Sequence, residues 1–287
     1  MDFYISVAAL TLAYATSGLA LSWYSMRLGL LNLASGAVAG TAGYVFAVMY
    51  RDFGDVWLAI SSALVVSAIA GILLALLARR LRELEFAIAS FAVQIVWVGM
   101  ISNSGGWLGG TLGIAGVASP PGSVTLGAAT ASLLFSSVLF AAVLVAGLYE
   151  RRTPLPTASS VVARSDELSD TLGIPTFAVL TVVGLGFGAA TGGFGVFLAT
   201  YTSFVGIQVY STQLSITLLA LSFLAVGRPI SALLGAFVLI GGPEMLRLIG
   251  YTDANLGFIR IALSGLVILV SVPTVLRPFL YEISDDR

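Results

Sequence analysis

The sequence predicts an all-α, polytopic membrane protein of about eight or nine transmembrane helices, with Gly-rich broken or re-entrant segments among them. Three observations carry that prediction. Thr171 to Gly227 contains no charged side chain, and neither does Phe86 to Tyr149. Charged residues make up 9% of the chain and hydrophobic residues 58%, whereas globular domains carry about 25% charged residues. The third is energetic: a charge near the centre of a bilayer costs about 2.5–3.5 kcal/mol. A soluble domain has no reason to keep surface charge out of more than fifty consecutive residues, but a hydrocarbon solvent does.

A span needs about 20 mostly apolar residues at 1.5 Å rise each. On that measure the spans fall near 4–26, 29–50, 56–78, 84–101, 124–149, 175–200, 210–226, 229–247 and 256–275. The opening Met1-Asp2-Phe3 has no positive charge ahead of its apolar run, so the first stretch reads as a span rather than a cleavable signal. Tyr24, Tyr50, Trp57, Tyr149, Tyr201, Tyr210 and Tyr251 fall near span ends, where amphipathic rings prefer to sit. Gly227-Arg228-Pro229 interrupts 210–247, which reads either as two spans or as one span with a re-entrant pair.

Two of these segments are unusually rich in small residues. Gly29 to Tyr50 contains Asn32, Ser35, Gly36, Gly40, Thr41 and Gly43; Val183 to Tyr201 contains Gly184, Gly186, Gly188, Gly192, Gly193 and Gly195. Small residues let helices pack closely in lipid. They also mark broken helices that line a transport pathway. Thr41-Ala42-Gly43-Tyr44 echoes Thr191-Gly192-Gly193-Phe194, a short sign of an internal repeat.

Arginine distribution sets the orientation. Arg79, Arg80 and Arg82 share one short loop, Arg151, Arg152 and Arg164 another, and Arg277 and Arg287 follow the last span; loops 102–123 and 202–209 are uncharged. The positive-inside rule places the Arg-bearing loops in the cytoplasm, the neutral loops outside, the N-terminus outside and the C-terminus inside.

Missing residue types exclude whole classes of chemistry. The chain has no Cys, no His and no Lys; all 13 basic residues are Arg. Ser-His-Asp and Cys-His catalytic sets cannot be built. Neither can His/Cys zinc sites or disulfides, and no metal or cofactor is implied. A Walker-type ATP site lacks its Lys. The net charge of −1 gives no basic footprint for nucleic acid.

The longest charged, non-spanning stretch is the loop 150–174. Ser159 or Ser160 can cap a helix N-terminus, and Gly173 and Pro175 suit its end. Val161, Leu168 and Leu172 share a face with Ser165, while Arg164, Asp166, Glu167 and Asp170 spread over the rest. Such a helix either rests on lipid headgroups or inserts into a groove on a cytosolic partner.

Five stretches, in order over almost the whole chain, now carry a resemblance. They are Gly29-Leu30-Leu31-Asn32-Leu33-Ala34-Ser35-Gly36 with Gly43-Tyr44; Arg82-Glu83-Leu84-Glu85-Phe86-Ala87-Ile88-Ala89-Ser90; Gly109-Gly110-Thr111-Leu112-Gly113-Ile114; Asp166-Glu167 through Leu172-Gly173-Ile174; and Ile230 to Ala236 followed by Pro243-Glu244-Met245-Leu246-Arg247. Together they resemble the inner-membrane permeases of ABC importers of the branched-chain amino-acid type, which include urea and short-amide permeases. The chain departs from the family pattern at Leu108, where the external loop has Thr, at Gly227-Arg228-Pro229, and at Leu168-Ser169 within the coupling motif.

The resemblance implies one permease domain, 1–287, in a bacterial inner (cytoplasmic) membrane, with 150–174 as its cytoplasmic coupling loop. It implies a second permease chain, similar or identical, cytosolic ATP-binding subunits, and an extracytoplasmic solute-binding protein. Coupling is then expected from Arg164, Asp166, Glu167, Leu168, Leu172 and Gly173. Candidate substrate-pathway residues are Asn32, Ser35, Gln94, Thr111, Thr191 and Arg228. Gln94 reads either as a pathway residue or as an interhelical hydrogen bond. Arg228 reads either as a pathway charge or as a snorkelling residue at a turn. The alternatives to the importer are an ion-coupled secondary transporter and a non-transporting scaffold or membrane enzyme. Proton relays use carboxylates or His inside spans, and here the acidic residues fall at span ends or in loops.

Overall fold

The computed structural model describes residues 2–79, 81, 83–164, 166–246 and 257–269; for Met26, Glu83, Arg164, Asp166 and Glu167 it describes the backbone alone. The described residues are mostly helical, with almost no strand. In order they form α1 (Asp2–Leu28), α2 (Ser35–Phe53), α3 (Val56–Ala78), α4 (Glu83–Ser102), β1 (Ile114–Ala115), the single turn α5 (Ser123–Leu126) and α6 (Ala128–Glu150). Then come α7 (Leu155–Arg164), α8 (Asp166–Thr171), α9 (Thr176–Thr202), β2 (Phe204–Val205) and α10 (Thr212–Ala225). Finally α11 (Pro229–Ala236) runs through a π-helical turn, Phe237–Gly241, into α12 (Gly242–Leu246), and α13 covers Gly257–Leu269.

Burial is distributed as a lipid solvent demands. The most apolar candidate spans, α3, α4 and α6, have only 28%, 28% and 22% of their apolar window buried inside the chain. The less apolar α1 and α9 have 72% and 78% buried. In water the order would be reversed. The outer helices present Leu73, Val96, Val138 and Val145 outward, each more than half exposed. Among the described residues six helices are long and apolar enough to cross a membrane. At 14 residues α10 is too short to qualify, α13 is described only over Gly257–Leu269, and the count of eight or nine is not established.

The central contact is α3 against α9. It explains half of the small-residue pattern. A Cβ on Gly71 would lie 2.3 Å from Gly184 O, one on Gly188 2.3 Å from Ser67 O, and one on Gly184 2.7 Å from Gly71 O. Ser67 and Gly71 on α3, and Gly184, Gly188 and Gly192 on α9, recur every four residues, so each helix offers one smooth stripe. The other face of α9 meets α2, where a Cβ on Gly195 would sit 2.0 Å from Ala39 O. The segment Val183 to Tyr201 is thus continuous helix packed closely on both sides.

Gly29 to Tyr50 behaves differently. Gly29 is left-handed at φ 65°, Leu30 to Ala34 are not helical, and the helix begins only at Ser35. The expected span from 29 is therefore broken, and the helical part, α2, starts inside the protein with Ser35 to Gly40 buried. The α10–α11 junction also resolves: Val226 (φ 46°) and Gly227 (φ 65°) turn the chain between two separate helices. Within α11–α12 the π turn precedes Pro243, which has no N–H and would clash with a regular α-helical register.

The loops gather at two ends. At one, Arg27 pairs with Glu150 at 2.5 Å. There Trp23 Nε1 and Arg151 Nη2 donate to Gly227 O at 3.0 and 3.3 Å. At the other, β1 pairs antiparallel with β2, Ile114 opposite Val205 and Ala115 opposite Phe204. There Arg51 Nη1 donates to Trp107 O at 3.1 Å, and Gln208 Nε2 to Thr111 O at 3.3 Å. This grouping matches the loop pairing that the arginines predict. The aromatic-belt expectation holds for Trp57 and Tyr149, both 71% exposed, but not for Tyr24 and Tyr210, which are buried core residues. Tyr251, Arg80, Arg82, Arg247, Arg277 and Arg287 lie outside the described residues.

Candidate functional site

The broken start of α2 needs donors and acceptors from elsewhere, because the first turn of a helix leaves its N–H groups without intrahelical partners. Asn32 begins the repair: its Oδ1 accepts from Ala34 N at 2.8 Å, a local turn that ends the extended stretch. Ser90 of α4 supports the same stretch, its Oγ accepting from Leu33 N at 3.0 Å.

Gly36 N–H is satisfied from a distant helix. It donates to Ser215 Oγ of α10 at 2.8 Å. Ser215 in turn donates to Gln94 Oε1 at 3.1 Å, and Gln94 Nε2 donates to Tyr210 O at 3.1 Å. Tyr210 OH donates to Gly195 O of α9 at 2.8 Å. This relay joins α2, α4, α10 and α9, and Gln94, Ser215 and Tyr210 are fully buried. Close approach requires glycine at Gly36, where a Cβ would meet Ser215 Oγ at 2.7 Å. One turn further, Trp97 Nε1 donates to Thr41 Oγ1 at 3.1 Å. Tyr44, Trp97 and Tyr210 pack their rings around this point, with centroids 5.8–6.5 Å apart.

The predicted pathway residues divide over three places. Asn32, Ser35 and Gln94 meet at the α2 break and are wholly buried. Thr191 is buried on α9, and its Oγ1, like Asn32 Nδ2 and Tyr44 OH, has no hydrogen-bond partner among the described residues. Buried polar atoms of that kind are rare unless an ordered water meets them. Thr111 is exposed on the loop cap beside Gln208. Arg228 is exposed in the α10–α11 turn, at the opposite end from Thr111. The sequence reading missed Ser90, Trp97, Tyr210 and Ser215. Ser90 and Trp97, at helical spacing from the predicted Gln94 on α4, are the one signal that pointed to two of them.

The segment 150–174 forms two helices, and its start differs from expectation. Helix begins at Leu155, so Ser159 and Ser160 lie inside α7, each donating to a carbonyl three residues back. Thr153 Oγ1 instead accepts from Leu155 N at 3.4 Å. Gly173 terminates α8 in the left-handed region at φ 68°, with Gly173 N donating to Asp170 O and Ile174 N to Ser169 O. Ser169 is buried and its Oγ lies 2.8 Å from Thr176 Oγ1, which fixes α8 to the first turn of α9. Leu168 and Leu172 are 44% and 60% exposed. The backbones of Arg164, Asp166 and Glu167 belong to these helices, and their side chains lie outside the description.

Among the described residues no group of His, Cys, Asp and Glu could hold a metal ion. A family model described as branched-chain amino acid transport system / permease component matches residues 3–272, and the chain belongs to that family. No curated protein and no solved structure matches it.

Proposed function

We propose that this member of the branched-chain amino acid permease family is the membrane subunit of an ATP-driven importer for a small solute, a branched-chain amino acid or a related amide or urea. The observation that carries the reading is α8. It offers Leu168 and Leu172 outward at the Arg-rich end of the molecule while Ser169 and Thr176 bind it to α9. Apolar side chains exposed on a short rigid helix fit a groove on a partner. A push there is delivered to the most buried helix of the fold. In this reading α7–α8 is cytoplasmic and docks on ATP-binding subunits. A second permease chain, similar or identical, completes the pathway, and a solute-binding protein delivers from the other side. Arg164, Asp166 and Glu167 set the register of docking, and Gly173 frees α8 to meet α9 at its angle. Asn32, Ser35, Gln94 and Thr191 act in the pathway through the α2 break, with Thr111 at its outer mouth. Arg228 acts at the inner turn. The setting is a bacterial inner membrane.

The mechanism uses a bistable joint. α2 is held at its start by one relay of hydrogen bonds rather than by continuous helix, so a shift of α9 or α10 can exchange those partners. The chain carries no Lys for a phosphate loop, so the energy enters from the partner. The test is uptake and ATP hydrolysis in proteoliposomes, with and without the ATPase subunits. Uptake requires the ATPase, and Leu168→Asp inserts normally but loses ATPase association and uptake. Uptake that survives without ATPase and collapses with an ion gradient rejects the importer in favour of a secondary transporter.

A further inference from the structure

At the Arg-rich end of the molecule a crevice of about 50 Å³ lies between α1, α6 and α9. Helix α6 packs mainly on α1 and meets α9 along a much smaller front, which leaves the gap. Tyr24 of α1 is its buried floor, and the exposed Ala146 of α6 and Gly186 of α9 are its lips. The Arg27–Glu150 ion pair stands at its rim. At its other end are Ala20 and Val143, each seven residues from that pair, with Ala190 beside them. Seven residues are two helical turns, about 10 Å, so the crevice runs along the helices from the ion pair toward the membrane interior. Val145 and Leu148 on α6, and Val182 and Leu185 on α9, are 46–64% exposed on the same two helices. The crevice therefore opens on an apolar, lipid-facing surface.

Size, charge and one hydroxyl indicate what fills it. Pockets for soluble ligands run to about 300–1,000 Å³. This crevice is too small to enclose a solute, so its occupant must lie mostly outside it, along the apolar surface. The rim carries Arg27 and Arg151 against Glu150. Arg151 Nη2 is held there by Gly227 O, the carbonyl that also accepts from Trp23 Nε1. Arg152 and Arg228 are the next residues along the chain on either side of that contact, and both are exposed. Arg27 lies 5.7 Å from the centroid of the Trp23 ring and pairs through Nη1 with Glu150, and its guanidinium has further N–H donors. An excess of arginine beside a bilayer attracts anionic headgroups, and the guanidinium fork suits a phosphate. The hydroxyl is that of Tyr24, buried and without a hydrogen-bond partner among the described residues. Tyr24 precedes Arg27 by three residues, so it sits about 4.5 Å deeper along α1. That is the side of a headgroup phosphate on which a phospholipid carries its glycerol ester oxygens.

We propose that this crevice is the binding site of one anionic phospholipid. Arg27 and Arg151 take its phosphate, Tyr24 OH donates to a glycerol ester oxygen, and an acyl chain lies between the lips toward Ala20, Val143 and Ala190. The bound lipid fills the gap between α6 and α9 and so braces α6 beside the start of the 150–174 segment. The site requires the chain to be embedded in a membrane and requires nothing of the solute or of ATP.

The experiment uses the full chain, purified in mild detergent and stripped of its own lipid. Dioleoylphosphatidylglycerol is added back, with dioleoylphosphatidylcholine and glycerol 3-phosphate as comparators, and native mass spectrometry reads what stays bound. The wild type retains phosphatidylglycerol under activation that removes phosphatidylcholine, and glycerol 3-phosphate, a head without chains, does not displace it. Gly186→Leu fills the crevice and loses the lipid. Nothing stands in its way: the nearest atom to its Cβ would be Glu150 Oε1, at 3.8 Å. Tyr24→Phe removes only the partnerless hydroxyl; it leaves folding in lipid-free detergent unchanged and lowers the affinity for phosphatidylglycerol severalfold. Arg27→Gln with Glu150→Gln replaces the ion pair by a neutral pair that can still hydrogen-bond, and lowers that affinity by about tenfold or more. Should Gly186→Leu fail to fold, the other two variants decide. Phosphatidylglycerol held equally by the wild type and the variants overturns the site, and so does equal retention of phosphatidylcholine. A Gly186→Leu chain that keeps its lipid but no longer pairs with a second permease chain makes the crevice a subunit interface, which also overturns it. None of these readouts involves uptake or ATP hydrolysis, so the site and the importer reading stand or fall separately.

Discussion

Gln94 and Ser215 show how one buried hydroxyl can hold a helix start. Ser215 Oγ accepts from Gly36 N at 2.8 Å and donates to Gln94 Oε1 at 3.1 Å. The two partners differ in what their loss leaves behind. Ser215→Ala removes the acceptor of the buried Gly36 N–H, at about 1–3 kcal/mol. Gln94→Leu keeps most of the volume, and Ser215 can turn its hydroxyl back to a carbonyl of its own helix while still accepting from Gly36. Interhelical hydrogen bonds in membranes average about 0.6 kcal/mol, and Gln94→Leu falls near that value. Reversible unfolding in mixed micelles therefore ranks Ser215→Ala as the more destabilising. The opposite ranking would show that the Gln94 to Tyr210 contact, not the cap on α2, holds the joint. Of this site the sequence disclosed Asn32, Ser35 and Gln94, because a polar residue in an apolar run stands out alone. Ser215 and Tyr210 did not stand out: Ser is common in these helices, and Tyr210 looked like an interfacial ring. Their roles come from pairing across more than a hundred residues of chain, which periodicity does not encode.

At the scale of elements, hydropathy located helices well and backbone breaks poorly. The expected span 56–78 coincides with α3, and 84–101 is within a residue of α4 at either end. The expected span 29–50 was wrong at its start because Leu30, Leu31 and Leu33 are as apolar as any membrane helix. Gly29 and Asn32 were the only local marks of the break. The glycine stripes of 183–201 gave the right chemistry without saying which helix they meet; the partners are Ser67 and Gly71 on α3. That contact gives a sharp test. In Gly188→Ala the new methyl would lie 2.3 Å from Ser67 O, a backbone atom that cannot swing aside, so α3 and α9 must separate. Overpacking of this kind costs about 1–3 kcal/mol. Gly99 on α4 has nothing within 4 Å of its added Cβ. Gly99→Ala therefore leaves stability unchanged or raises it by about 0.5–1 kcal/mol through helix propensity. Thermal unfolding of the two purified variants separates the cases. Equal effects at the two positions would contradict the close α3–α9 contact.

At the scale of the whole molecule, the fold sorts its loops onto two ends, and the sidedness of those ends decides the functional reading. One end holds Arg27, Glu150, Arg151, Gly227 and the α7–α8 segment; the other holds the β1–β2 ribbon, Arg51, Trp107, Thr111 and Gln208. Arg79 with its neighbours in the short loop after α3, and Arg151 and Arg152, bias the first end toward the cytoplasm. Six helices long and apolar enough to span a membrane separate the two sets of loops, so the proposed function requires the two ends to lie on opposite sides of it. The absence of any Cys in the chain makes that a direct measurement. A single Cys at Ser160, on α7, and a single Cys at Gln208 are each exposed positions remote from the packed core. In intact spheroplasts a membrane-impermeant maleimide labels Gln208→Cys and spares Ser160→Cys. In inside-out vesicles the pattern reverses. Labelling of Ser160→Cys from outside would put α8 beyond the reach of a cytosolic ATPase and would remove the physical basis for ATP-driven coupling.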